Sequence, residues 1–556
     1  LREARAVAVF RLIAVAIGMC AFASCAVQKP RENFVEAPAF RASVSAEVPR
    51  PRHFCGPPMN HARHVRDESS GGTLDAKLDA RVDPKLLGPT LYYFVPHAPF
   101  WIAGSPTFVV RPGDDLDINY HDALPPIASD EAHGLPDDTN LHFHGLTTSP
   151  NPPGDDAMMS LAPLERMQYT VHVAADQPPG VYWYHPHPYR ETSWQVGNGM
   201  AGAIVVDGIA NLVPSLVGLR QRLIVVRETF AHPDSDEAVH HDRDLITLQH
   251  LTAAGRIAFL RARFLRSTAT AGDDDNRTTV VSLNGLAAGT ATIGIAPGER
   301  EFFRVVNATG HRNLVLAVDG ESLDLISQDG VPIGYFPGST PSLSVPSITV
   351  PPGGRAEFVV TGLARATTLR SLRFDSGPKG DPDPPFAMAS LIDDGAPEPQ
   401  DERVATVAPL PVAHPDYYRT PPSAPVAERT VAFGETDDGK RFFINGRSFS
   451  MSDGPMFVAR SGTVEEWTIV NKTQEVHTFH LHQVHYVVES VDGVPVPLAR
   501  RHWSDTFNVP YARGKRPGTL KILVDFRDPV VRGTFMFHCH ILDHEDAGMM
   551  ATVRVI

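Results

Sequence analysis

The sequence predicts an all-β chain built from three β-sandwich units. Three observations carry this expectation. Fifty prolines and 43 glycines among 556 residues favour many strands joined by turns over long helices. At about 150 residues per domain, a chain of this length holds three or four domains. An internal repeat then fixes the number at three. Phe108-Val109-Val110-Arg111-Pro112-Gly113 with the following Asp114 to Asn119 returns as Ile293 to Gly298 with Glu299 to Val305, and again as Phe457 to Gly462 with Thr463 to Ile469. Each copy reads as strand, glycine turn and alternating strand.

Taken in order, residues 1–25 read as an export leader. Arg2 and Arg5 precede an apolar run from Val7 to Ala23, interrupted by Arg11 and too short for a spanning helix. Phe22-Ala23-Ser24-Cys25 resembles a bacterial lipoprotein cleavage box, with Phe22 where an aliphatic residue is usual. That resemblance implies a lipid anchor at Cys25; simple cleavage is the alternative. An exported, periplasmic or envelope-associated protein is expected. Residues 26–84 are polar and rich in Pro, Arg and Ser, and read as a linker or extension. The histidines there (His53, His61, His64) with Met59 read as solvated linker rather than a metal site.

The first sandwich spans 85–213 and the second 214–394. A Pro-, Ala- and acid-rich linker follows at 395–425, and the third sandwich spans 426–556. The late strands repeat as well. Gly180 precedes Val181 to His185, and Gly533 precedes Thr534 to His538, with identical spacing. In the middle copy Leu369 to Asp375 and Asn313 to Gly320 occupy the corresponding places without any histidine. The second unit therefore reads as a metal-free spacer.

Hydrophobic content of 42% and charged content of 21% suit a soluble globular protein. A net charge of −14 argues against nucleic acid as a partner. Of the four cysteines, Cys20 and Cys25 fall in the leader and Cys539 sits among histidines, which leaves Cys55 alone. This is no disulfide framework.

The chemistry is concentrated in Phe537-His538-Cys539-His540-Ile541-Leu542-Asp543-His544, with Met549 ten residues beyond the cysteine. A thiolate, imidazoles and a distant thioether suit a blue-copper electron-transfer site. Strand side chains alternate faces, so Cys539 points one way while His538 and His540 point the other. One segment can then serve two metal sites on opposite faces. Three further His-x-His pairs occur at His142/His144, His185/His187 and His480/His482. On a strand each pair shares a face. A lone His-x-His is an ordinary polar strand face. Four pairs, one of them straddling a cysteine, supply eight imidazoles, too many for one ion and suited to a small cluster with open positions. His477, Cys539, His544 and Met549 remain as a separate mononuclear set.

These motifs, His142-Phe143-His144-Gly145, His185-Pro186-His187, His477 to His482 and His538-Cys539-His540 through His544 and Met549, resemble those of the multicopper oxidases. The similarity runs from about residue 85 to the last residue given. It implies three cupredoxin-like Greek-key domains and four coppers per chain. A type 1 copper is implied on His477, Cys539 and His544 with Met549 axial, and a type 2 copper on His142 and His480. A type 3 pair is implied on His144, His185, His187, His482, His538 and His540. A methionine at the axial place suggests a low-to-moderate potential. The resemblance also points to Glu545 as a proton-relay carboxylate and to Asp505 as a hydrogen-bond partner of a cluster histidine. Asp155 and Asp156 follow the His142 motif, and Asp156 is the relay candidate besides Glu545, although the family's Asp-Gly is Asp156-Ala157 here, which leaves the register open.

The expected activity is laccase-like: one-electron oxidation of a phenol, aromatic amine or metal ion, coupled to four-electron reduction of dioxygen to water. Only 12 methionines are present, without a long cluster, which weighs against cuprous ion as the donor. The alternative is a non-catalytic copper-sequestering or envelope scaffold protein of the same fold. Such relatives have lost ligands, and this chain keeps them. A two-domain copper nitrite reductase is disfavoured by the four His-x-His pairs.

Overall fold

A computed structural model of the chain describes residues 66–82, 89–95, 100–124, 138–230, 279–393 and 417–556. The leader with Cys20 and Cys25, and also Cys55, Met59, His53, His61 and His64, lie outside the described residues. Among the described residues helix is confined to Thr192–Gly197, Ile209–Leu212, Leu542–Asp546 and a few single turns, and strands dominate.

Among the described residues six sheets stack in pairs, and each pair encloses its own apolar core. In the first pair, Thr73–Val82 is the middle strand of five, parallel to Asp115–Asp122 and antiparallel to Pro89–Val95. Its partner sheet carries Thr107–Val110, Gly202–Val206 and Gly180–Tyr184. In the second pair, Arg300–Ala308 lies between Arg220–Phe230 and Arg355–Thr361, facing a sheet that holds Leu314–Val318 and Thr367–Ser371. In the third, Thr463–Asn471 and Gly518–Phe526 pair over their full length, facing a sheet with Gly533–Cys539 between His477–Leu481 and Met550–Val555. Residues alternate between buried and partly exposed along Asp115–Asp122 and Gly518–Phe526, the two-residue period of a sheet packed on one face. The three copies of the repeat occupy equivalent places: Thr107–Val110 with Asp115–Asp122, Ala291–Gly294 with Arg300–Ala308, and Phe457–Ala459 with Thr463–Asn471.

Two expectations need correction. Residues 66–82 are not linker. Arg66–Glu68 pairs with Thr107–Val110, and Thr73–Val82 buries Leu74, Ala76, Leu78 and Ala80 in the first core. They alternate with Asp75, Lys77, Asp79 and Arg81, the two-residue period of a strand buried on one face. The linker at 395–425 also ends early. Residues 394–416 lie outside the described part, but Tyr418 is buried, and its hydroxyl bonds Thr147 Oγ1 at 2.7 Å and His485 Nδ1 at 3.0 Å.

Leu78 is fully buried. Leu78→Ala is expected to cost about 2–5 kcal/mol, since a residual cavity adds to the lost transfer energy. Chemical denaturation of the variant checks this; a loss under about 1 kcal/mol would contradict a core role for this strand.

Candidate metal centre

The mononuclear site forms where strand Gly533–Cys539 pairs with His477–Leu481, in a register that sets Cys539 opposite Phe479 and His538 opposite His480. After Cys539 the chain makes the short helix Leu542–Asp546, which returns His544 over the thiol. Cys539 Sγ lies 3.5 Å from His477 Nδ1 and 3.9 Å from His544 Nδ1, and the two Nδ1 atoms are 3.2 Å apart. Three donor atoms thus face one point. Thr473 Oγ1 holds the far nitrogen of His477 at 2.9 Å, and Phe442 stacks on His544 at 4.0 Å. Met549 is buried in the same apolar cluster as Cys539, and its carbonyl accepts the Cys539 N–H at 3.0 Å. Burial pushes the Cys539 thiol up and lowers His477 to about 3. The imidazole is therefore neutral and ready to ligate, while a metal must displace the thiol proton.

On the opposite face of the strand, His538 and His540 join the other six imidazoles. The strand-face expectation holds only in part. His480 and His538 lie on strands, whereas His142 and His185 meet at an isolated bridge, with backbone hydrogen bonds of 2.8 and 3.1 Å. His144, His187, His482 and His540 lie just beyond regular structure. Asn140 ties the first two segments together, its side chain bonding the backbone of His187 in both directions.

The donor set fits a metal cluster. His142 Nε2, His144 Nδ1, His185 Nε2, His480 Nε2, His482 Nδ1 and both nitrogens of His540 are buried without a hydrogen-bond partner. Buried polar atoms are seldom left so. Here they accumulate among rings that face one another. His538 Nε2 lies 3.0 Å from His482 Nε2 and 3.3 Å from His187 Nε2. That is close to the separation of two nitrogens that each sit about 2 Å from one shared ion. His144, His185 and His540 gather with ring centroids 5.0 to 5.9 Å apart. His142 and His480 face each other at 6.0 Å. Where one ring nitrogen points inward, the other is pinned. His142 Nδ1 bonds Asp155, His185 Nδ1 the Pro186 carbonyl, His480 Nδ1 the Asp505 carbonyl, and His538 Nδ1 the Cys539 carbonyl. Such partners orient metal-ligating imidazoles. Burial lowers His144, His185, His480 and His482, and takes His187 to about 4 and His540 to about 3, so these rings are neutral at ordinary pH.

Among the expected carboxylates, Glu545 is buried between His187 Nε2 at 3.2 Å and His538 Nδ1 at 3.0 Å. Burial pushes it up, but His187, His538 and His540 together hold it down at about 2. Asp505 is buried and lies 3.3 Å from His144 Nε2. Asp156 needs correction. Its carboxylate accepts the Met158 N–H, and the residue that reaches the cluster is Asp155. Asp155 bonds His142 Nδ1 at 3.0 and 3.1 Å, accepts the Phe143 N–H and is held by Gln483 Nε2 at 2.7 Å. The sequence reading passed over three more groups. Thr506 Oγ1 reaches both His144 and His480, at 3.2 and 3.1 Å. Arg355 grips both oxygens of Asp505, and Asp329 lies behind it at 3.7 Å. Burial and the nearby Asp505 raise Asp329 to about 7. Arg355 and Asp329 belong to the second sandwich, which is therefore more than a spacer.

Comparison with known proteins agrees with this geometry. Family profiles described as multicopper oxidase match residues 104–211, 261–368 and 419–556. The chain is 25% identical to a multicopper oxidase of Staphylococcus haemolyticus over 459 residues, covering 81% of this chain and 82% of that protein. It is 23% identical to a laccase of Bacillus subtilis over 497 residues, covering 81% and 88%. Among solved structures, a variant of the Aquifex aeolicus multicopper oxidase superposes with TM-score 0.62 at 18% identity, covering 88% of this chain and 98% of that one. A Campylobacter jejuni multicopper oxidase gives TM-score 0.59 at 20% identity, covering 88% and 92%. The profile matches extend over most of the chain, and the last of them contains the Cys539 segment around which the buried nitrogens are arranged. The chain belongs to the multicopper oxidase family and is a laccase-like oxidase.

Proposed function

We propose that this protein holds four coppers and oxidises a small donor one electron at a time at the expense of dioxygen. His477, Cys539, His544 and Met549 hold the type 1 ion, and His142 and His480 the type 2 ion. The type 3 pair divides into His187, His482 and His538 on one side and His144, His185 and His540 on the other. Copper held by these residues would supply one-electron redox chemistry, by which four electrons from the donor and four protons convert one dioxygen to two waters. The observation that carries this reading is the placement of Cys539. Its sulfur faces one donor set while its two sequence neighbours face the other, a covalent link between the sites.

The donor meets the protein at His544. That side chain is 12% exposed, whereas His477, His142, His144, His187 and His538 are at most 1% exposed. Glu475 lies beside it, with Oε1 3.6 Å from His544 Nε2 and 3.7 Å from His477 Nε2. Contact through a ring edge sets few demands on shape, which suits phenols, aromatic amines or a metal ion. Glu545 and Asp155, in contact with the cluster histidines, serve as proton carriers to the dioxygen site. The leader composition supports export to the periplasm or envelope, with Cys25 as a lipid anchor.

Copper analysis with an optical spectrum on the loaded protein tests this reading. Oxygen uptake follows, with a phenolic donor and with cuprous ion. Four coppers, a strong blue band and oxygen consumption are expected, and the faster donor identifies the substrate class. Fewer coppers with no uptake in loaded protein would return the scaffold reading.

A further inference from the structure

Among its described residues the second sandwich contributes none of the proposed copper ligands, yet two of them stand against the cluster. Both come from one turn, Pro351 to Arg355, at the start of strand Arg355–Thr361. Arg355 is fully buried. Its Nη1 and Nη2 bond Asp505 Oδ1 and Oδ2 at 2.7 and 2.6 Å, while Nη2 also bonds the Asp329 carbonyl at 2.9 Å. Asp505 in turn touches His144 through Oδ1 and holds His480 through its carbonyl. Space for the guanidinium exists because Gly145, the residue after His144, has no Cβ; one there would overlap Arg355 and Asp505. Two residues before Arg355, Gly353 packs its bare Cα against His540. A Cβ at Gly353 would lie 2.7–2.8 Å from the imidazole ring. His540 has neither ring nitrogen bonded to protein, so this contact is its steric stop.

We propose that the 351–355 turn of the second sandwich is a positioning device for the copper cluster, in which Arg355 fixes Asp505 against His144 and His480, and Gly353 fixes the plane of His540. The bidentate fork matters because it sets the carboxylate's orientation as well as its place. The three rings so fixed supply ligands to the type 2 ion and to one type 3 ion. The inference rests on the four-copper reading above. It predicts that the cluster can be loosened from the second sandwich while the type 1 site, built wholly from residues 477 to 549, stays intact.

The test is metal analysis, optical and electron paramagnetic resonance spectroscopy on copper-loaded full-length protein. Arg355→Met is expected to keep the blue band undiminished per chain. Its copper content should fall from four toward one, with the type 2 resonance lost or its hyperfine splitting changed. A full copper complement with an unaltered type 2 signal would overturn the role of Arg355. Should Arg355→Met fail to fold, a matched glycine pair decides. Gly353 and Gly298 both have positive φ, +80° and +78°, but a Cβ at Gly298 meets nothing within 4 Å. Gly353→Ala should lose cluster copper with its blue band kept, and Gly298→Ala should lose none. Equal copper content in the two variants would overturn the proposal. Failure of the four-copper reading itself would appear in the unmutated protein, as a missing blue band or a low copper count.

Discussion

Cys539→Ser is expected to abolish both the blue absorption and oxidase turnover while leaving the fold in place. The colour arises from a thiolate bound to the type 1 ion, and a serine hydroxyl is too hard a donor to replace it. Turnover fails for a second reason. The sulfur is the inner end of the bonded path from Cys539 to His538 and His540, and no other ligand of the type 1 set adjoins a cluster ligand in the chain. Structure should survive because the exchange is nearly isosteric and leaves the surrounding apolar cluster and the Cys539 backbone hydrogen bond to Met549 unchanged. A stability change of about 1 kcal/mol is expected, in the middle of the usual range for a single substitution. Optical spectroscopy, circular dichroism and oxygen uptake on the same preparation check all three statements. Oxygen uptake above background in the colourless variant would defeat the proposed electron route.

Glu545→Gln is expected to slow the oxygen-reducing half of the cycle by about 10²-fold or more, the usual worth of a positioned proton carrier. The reducing half should be untouched. Glutamine keeps the shape and one acceptor oxygen for His187 or His538, so what is lost is the ionisable group. Stopped-flow absorption separates the two halves. Bleaching of the blue band by an anaerobic donor should proceed at the unmutated rate, and its return on mixing with oxygen should lag. If both rates match the unmutated protein, Glu545 only anchors its two histidines and protons arrive elsewhere, with Asp155 the next group to replace.

Every metal-ligand candidate was legible because each lies in a short motif, and chemistry forces particular residue types into it. Cys539 between two histidines needs no context to suggest a metal. The three-sandwich plan was legible through glycine turns at Gly113, Gly298 and Gly462, where φ is positive and close to +80° or +90°. The carboxylate at His142 was less so. The choice between Asp155 and Asp156 depends on how the chain folds back after Ser149. There the Asp155 N–H bonds the Ser149 carbonyl at 2.8 Å and turns that carboxylate inward. Thr73–Val82 does carry the strand signal, since Leu74, Ala76, Leu78 and Ala80 alternate with four charged residues, but it follows a polar stretch rich in Pro, Arg and Ser and was grouped with it by composition. Arg355 gave no local signal at all. Its partner Asp505 lies 150 residues away, and a pairing of that kind is written in the tertiary fold alone.

The span of the cluster along the chain has a consequence for how the protein comes into being. His144 and Asp505 are 361 residues apart, and the cysteine segment comes later still. Contacts of such long sequence separation form slowly, and sandwiches fold one after another as synthesis proceeds. A nascent chain that has completed only its first sandwich offers His142, His144, His185 and His187 as a half-built, open nest. The other half arrives with the third sandwich. On the four-copper reading, the cluster can be completed only after the third sandwich has been made, so a full metal complement would mark a chain whose outer sandwiches have both folded and docked. Chains cut short before Cys539 are excluded from that state by arithmetic rather than by any quality-control factor.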